Sequence, residues 1–379
     1  MKLKVVTPVH IGSGNTFTRA EYVKVVRDGG SWLHRINFDA MMRKLPEKKR
    51  EDFIAEIGED FSLTSFLKGI GHEDAKRYSI YYPRGEGEPT PIRECIKTAD
   101  VAYIPGSSIK GAVRTALLWN FVIQNPREYI EKLRDSANQS DRRLRKETVG
   151  AGVVDTIFSA SDGRPDPKFD IMKFVEISDF MPLDNKPNQK LENIKTYSLQ
   201  RQGGLRPKNY DNFCECVVGE FTGTIRLSPQ IGAALKSPDK FPLLKRKLSL
   251  LGLESGLSDD ALITHIQLSL RKFQSSCLGR ELALCTMGRD VDFINSIENM
   301  QKKNSEEYLI RLGAGVGTLY QTMMGLIEEH DPDLALAFIN SFRLGKYDRT
   351  IVDRKELDTP YPKSIEFTTN KKPVGWLAW

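Results

Sequence analysis

Apolar residues at 109, 112, 113, 116 and 117 recur at the helical period and predict a helix over 107–123 whose stripe packs inward. Ahead of it, apolar positions over 3–10 predict a first strand, followed by the glycine loop Ile11-Gly12-Ser13-Gly14. Residues 22–26 and 32–36 alternate and flank Asp28-Gly29-Gly30, the signature of a hairpin. A charged helix is expected over 39–57, a short helix over 61–71, and a loop over 84–91. Strands are expected over 174–178, 196–199 and 213–227. From Pro229 the pattern turns helical, over 241–253, 258–284 and 290–301. A strand, a glycine loop and a helix follow from 309, then a strand over 362–367, and 373–377 reads as a final strand or a docking segment. These elements predict an α+β protein with a helix-rich second half, divided into 1–230 and 231–379.

Three segments carry candidate chemistry. The first is Pro105-Gly106-Ser107-Ser108-Ile109-Lys110-Gly111-Ala112-Val113-Arg114. Ser107 or Ser108 is placed to cap the helix. Lys110 and Arg114, four apart, share a face. A lysine in the first turn meets the positive end of the helix dipole, and a bound anion would remove that conflict. Capping amides, serine hydroxyls, Lys110 and Arg114 therefore form a candidate phosphate site; a capped helix with solvated cations is the competing reading. The segment is not a nucleotide P-loop: Gly106 and Gly111 have the spacing, but Ala112-Val113 stands where Lys-Ser/Thr is required.

The second segment, 200–211, is a glycine-rich basic loop with Arg201, Arg206 and Lys208 between strand patterns. It suits a β-hairpin finger tracking a nucleic-acid backbone, or equally a surface loop. The third is Arg311-Leu312-Gly313-Ala314-Gly315-Val316-Gly317. Thr318 stands where a dinucleotide fingerprint needs glycine, so what remains is backbone able to approach a phosphate, or simply a tight turn. The run Arg142, Arg143, Arg145, Lys146 reads as a solvated helix, a mobile insertion or a backbone-binding arm. Trp376 and Trp379 are candidates for base stacking or for ordinary packing.

Composition narrows the classes. The 379 residues are 40% hydrophobic and 28% charged, with a net charge of +6 that permits a polyanionic partner. Five cysteines do not make a disulfide scaffold, and Cys214 and Cys216 share one strand face. With no C-x-x-C pair and no His-Cys cluster, neither zinc nor any other metal or cofactor is expected. No signal-peptide core and no apolar run near ~20 residues appears, so a soluble cytoplasmic protein is expected, with no membrane partner. Catalysis has one candidate: His10, at a strand end before a glycine loop, is placed for general acid–base work. The histidines at 34, 72, 265 and 330 sit in no motif, and Asp155, Asp162 and Asp170 are the residues a metal-assisted nuclease would use.

Thr7-Pro8-Val9-His10-Ile11-Gly12-Ser13-Gly14, the 104–114 segment and the 313–317 loop together resemble the RAMP proteins of CRISPR systems. Glu21-Tyr22-Val23, the 32–39 stretch and the ending Lys372-Pro373-Val374-Gly375-Trp376 resemble in particular the single-copy RAMP subunit of type III-A Csm effector complexes, which caps the guide RNA 3′ end. The likeness covers most of the chain; 136–170 and 239–304 add nothing to it. It implies tandem ferredoxin-like (RRM-like) modules with large insertions, about 15–102 and 130–210. It implies a non-catalytic subunit that binds crRNA, ends the backbone filament and supports crRNA 3′-end maturation in antiviral defence. The implied partners are crRNA, target RNA nearby, the repeated RAMP backbone subunit, the small helical subunit and recruited ribonucleases. Ser107, Ser108, Lys110, Gly111, Arg114, Gly313, Gly315 and Gly317 carry over as guide contacts, and Arg201, Arg206, Lys208 and Arg311 join them on charge and position. Two other readings compete: a metal-independent crRNA-processing endoribonuclease using His10, and a protein-only scaffold.

Overall fold

The computed structural model describes all residues except 28, 59, 84–86, 139–149, 164–165, 185–187, 201–202, 343 and 345–360. The basic run 142–146, Arg201 and part of the 84–91 loop therefore lie outside the described residues.

The amphipathic stripe read from the sequence produces the helix Gly106–Val122, with Ile109, Val113, Ala116 and Leu117 buried. It packs on the 29-residue helix Asp259–Met287, which buries Leu262, Ile266, Leu270, Phe273 and Cys277. That helix starts where Ser258 accepts from the Ala261 amide, with Asp259 and Asp260 in its first turn matching the dipole. Both helices share one apolar core with Leu3, Phe221, Ile310 and Leu377, residues of a five-stranded antiparallel sheet. Its order is Met181–Pro182, Glu220–Thr222, Lys2–Val5, Trp376–Ala378, Leu309–Arg311. The division at 230 thus falls between strands that share a sheet: Lys4 pairs with Ala378 and Val5 with Leu377.

A nine-stranded sheet is built around the long strand Gln189–Leu199. The strands Gly12–Phe17, Tyr22–Arg27, Gly30–Ile36, Lys76–Tyr82 and Ile92–Cys95 belong to it, so the 15–102 insertion is woven into the main body. Its helices, Phe38–Lys44, Glu47–Glu56 and Leu63–Phe66, cover a small core of Val23, Ile36, Met41, Leu45, Phe53 and Leu63.

Several elements depart from the sequence pattern for local reasons. The first strand stops at Val5, and beyond Pro8, which has no amide hydrogen to donate, Val9 forms only an isolated bridge to Val217. The helix expected over 39–57 breaks between Lys44 and Glu47, where Pro46 stands. The run 213–227 divides into Phe213–Val217, Glu220–Thr222 and Ile225–Leu227, with Gly219 in a left-handed turn. The hairpin Tyr22–Arg27 and Gly30–Ile36 forms as expected. The architecture is mixed α and β, as read from the sequence.

Candidate nucleic-acid interface

Neither Ser107 nor Ser108 caps the helix they were expected to start. Pro105 is the N-cap residue, and the Gly106 amide donates to Asp179 Oδ1 at 2.8 Å. The anion that the first turn called for is a carboxylate of the protein itself. Gly106 is glycine for packing: a Cβ there would lie 2.4 Å from the Ile177 carbonyl oxygen. Arg114, expected on an anion, donates instead to Asp170 at 2.5 Å, lies 3.5 Å from Asp155, and rests its guanidinium 4.1 Å from the Phe158 ring. Asp170 also caps the 3₁₀ turn Ile171–Phe174. With Asp155 and Asp170 held by Arg114, the three aspartates do not converge as metal ligands, which corrects that reading. What stays open at this helix start is Ser107, Gly111 and Lys110. Ser107 and Gly111 are exposed, and the space over Gly111 is empty. Lys110 is half-buried and makes no hydrogen bond or ion pair among the described residues. Burial holds its ammonium below the usual lysine range, opposed by Asp170 and Glu176.

The glycine loop after Leu309–Arg311 also has an inner and an outer part. Arg311 is 1% exposed. It donates to Glu281 and, at 3.0 Å, to the Val374 carbonyl, and it lies over the Tyr320 and Trp376 rings. The Tyr320 hydroxyl donates to the other Glu281 oxygen at 2.9 Å. Arg311 is therefore a buried structural cation with no route to RNA, a correction to the sequence reading, in which nothing distinguished a core arginine from a surface one. Gly313 (φ 75°) faces the His10 carbonyl, 2.1 Å from where a Cβ would stand, and the Ala314 amide donates to that same oxygen at 2.8 Å. Gly315 is pressed against Val374, whereas nothing approaches Gly317.

Gly315 and Gly317 line a cavity of about 570 Å³ together with Lys208, Ser198, Thr318 and Ser364. Folding thus joins the second and third sequence candidates at one place. The basic loop does form a hairpin, Gln189–Leu199 with Leu205–Pro207. It is docked rather than free-standing: Leu205 sits over Gly288, and the Tyr197 ring lies 4.7 Å from that of Phe293. Arg206 and Lys208 are exposed. Arg280, also in the cavity wall, was not legible as a site residue because it lies inside a long helical pattern; it donates to Glu328 at 2.6 Å.

His10 is 2% exposed. Its Nδ1 lies 2.7 Å from the Glu215 carbonyl, an acceptor only, so Nδ1 carries the proton and donates. Burial lowers its pKa to about 4, leaving the ring neutral at neutral pH. Enclosed in this way, His10 is a junction between the first strand region and the 313–317 loop. Trp376 is fully buried against Tyr320 and Trp379 packs on the same core, so the terminal tryptophans are packing residues. No helix among the described residues is long and apolar enough to cross a membrane.

Comparison with known proteins agrees with the resemblance seen in the sequence. The RAMP superfamily profile matches residues 2–221. A curated relative, the CRISPR system protein Csm5 of Methanocaldococcus jannaschii, is 25% identical over 202 residues, 49% of this chain. The match spans 43% of that protein's length, less than half. A chain in the cryo-EM structure of a Csm–crRNA–target RNA ternary complex of a type III-A CRISPR–Cas system superposes with a TM-score of 0.71 at 20% identity, over 100% of this chain and 98% of that one. The crystal structure of T. onnurineus Csm5 superposes with a TM-score of 0.65 at 20% identity, over the full length of both chains. At that identity the two structures establish a shared fold. With the profile match covering more than half of its length, the chain belongs to the RAMP superfamily.

Proposed function

We propose that this protein is a non-catalytic, crRNA-binding subunit of a cytoplasmic type III-A Csm ribonucleoprotein. It holds the 3′ region of the guide, ends the filament of repeated RAMP subunits and supports 3′-end maturation through recruited ribonucleases. The observation that carries this reading is the superfamily match joined to a fold shared, end to end, with a chain of a Csm–crRNA–target RNA complex. Two open surfaces suit single-stranded RNA backbone: the start of Gly106–Val122, with Lys110 and Gly111, and the cavity with Lys208, Gly315 and Gly317. Both present a cation beside bare backbone, which favours phosphate contact over base readout. The tandem ferredoxin-like arrangement is part of the same proposal. Lys2–Val5, Gly106–Val122, Met181–Pro182 and Glu220–Thr222 give the β-α-β-β run of one module. The second half then adds Asp259–Met287 and two strands to that sheet.

The test is binding of a labelled guide-like RNA by the pure protein across a salt series, with crosslink mapping and a cleavage assay in EDTA. Crosslinks at Lys110, Lys208 or Gly315 on uncut RNA support the proposal. Cleavage in EDTA that is lost in His10→Ala would make the protein an endoribonuclease. Incorporation into the complex with no RNA crosslinks would make it a scaffold.

A further inference from the structure

Outside the proposed RNA surfaces, folding assembles a ligand set that no sequence spacing announces. His34 lies on Gly30–Ile36, and His72 immediately precedes the 3₁₀ turn Glu73–Ala75. His34 Nδ1 is 3.1 Å from His72 Nε2 and 3.7 Å from Glu73 Oε1, and the donor atoms all lie within 4.8 Å of one another. Two nitrogens bound tetrahedrally at zinc distances would be separated by about 3.3 Å. The histidine pair is therefore already close to chelating separation.

We propose that His34, His72 and Glu73 bind a divalent transition metal, zinc in the first instance. Two imidazoles and one carboxylate without a thiol suit zinc and its neighbours rather than magnesium or calcium, and a fourth position is left to water. His34 is 0% exposed and its Nε2 has no hydrogen-bond partner. A neutral ring with its proton on that Nε2 leaves the Nδ1 lone pair facing His72, as a metal requires. Glu73 is exposed and ion-paired with Lys76, so its carboxylate can turn from the ammonium to the metal. The other charges nearby are the exposed Lys44–Asp74 pair and Arg27. The metal would clip the helical cap over 38–75 to the strand beneath it, a structural site within the insertion. The expectation of no metal rested on local spacing, and these histidines are 38 residues apart.

The full-length protein, stripped with chelator, is titrated with zinc chloride against a competing dye, and separately with cobalt(II) to read a ligand-field band. Thermal unfolding is recorded with and without zinc. His34→Ala empties a buried site and is avoided; the informative variants are His72→Gln and Glu73→Gln at the surface, with His330→Gln as control. The expected result is uptake by the wild type and the control, weakened more than about tenfold in His72→Gln, since even supporting partners act on a 10–100-fold scale. The zinc-induced rise in the unfolding midpoint should vanish with it. Lys76→Gln, which frees Glu73, should tighten binding severalfold. No uptake by the wild type, or equal uptake by all variants, would overturn the site and leave the 3.1 Å contact as a hydrogen bond between histidines.

Discussion

The segments 104–114 and 311–317 have the same composition logic, glycines beside an arginine at the start of a helix, but the fold uses them differently. In the first, the arginine lies partly exposed between two aspartates, and the helix N-terminus is closed by Asp179. In the second, the arginine is wholly inside, and the glycines pass close to the His10 carbonyl before opening onto a cavity. In each, one glycine is demanded by a close backbone neighbour, Gly106 or Gly313, and one faces open space, Gly111 or Gly317. The lesson is that a glycine-rich basic motif mixes packing with ligand contact, and only neighbours within a few ångströms separate the two.

The largest effect should fall on the inner arginine. Arg311→Met leaves Glu281 buried without its counter-charge and is expected to cost about 3–5 kcal/mol in denaturant unfolding. The double variant with Glu281→Leu should recover much of that loss. An Arg311→Met protein of normal stability but impaired RNA binding would reverse the comparison.

His10, whose carbonyl accepts from Ala314 in the second of these segments, predicts a pH dependence. Its folded pKa is about 4, below the ordinary 6.5. As pH falls the unfolded chain takes up the proton first, so stability drops between pH 6.5 and about 4 and is level below that. The contribution at neutral pH is at most about 3 kcal/mol, from 1.36 kcal/mol per unit. Urea unfolding at several pH values should show a shallower slope in His10→Gln; an unchanged slope would mean that the ring titrates normally.

The paired glycines sharpen the contrast. Gly106→Ala drives a Cβ into the Ile177 and Ser178 carbonyls and should destabilise by about 1–3 kcal/mol. Gly111→Ala, at an open helical position, should stabilise by about 0.5–1 kcal/mol. If RNA passes close to Gly111, that same stabilised protein will bind RNA more weakly, an outcome that a purely structural glycine cannot give.

The smallest effects are those of single cations. Lys110→Ala and Lys208→Ala should leave the midpoint of unfolding nearly unchanged. Each should reduce the slope of log affinity against log salt by about 0.7 if it meets one single-strand phosphate. Arg206→Ala compares an exposed cation on the hairpin edge, outside the cavity wall. Slopes in all three variants equal to that of the wild type would remove both surfaces from the RNA path.

Much of the secondary structure was legible because it is set locally. The stripe Ile109, Val113, Ala116 and Leu117, the helical pattern from Ser258 and the hairpin of Tyr22–Arg27 with Gly30–Ile36 are set over a few residues, where side-chain period and backbone preference dominate. The family likeness was legible for a related reason, since it rests on short motifs at fixed places along the chain. The partners of charged groups were not legible. Arg114 and Arg311 looked like ligand cations because their carboxylates lie on other elements, at Asp155, Asp170 and Glu281. The meeting of Lys208 with Gly315, and of His34 with His72, likewise depends on strand register and on which helix covers which sheet. Local periodicity determined which residues turn inward; only the tertiary structure decided which charges meet inside and which remain free to meet a ligand, because a charge is removed from water only when its partner arrives from elsewhere in the chain.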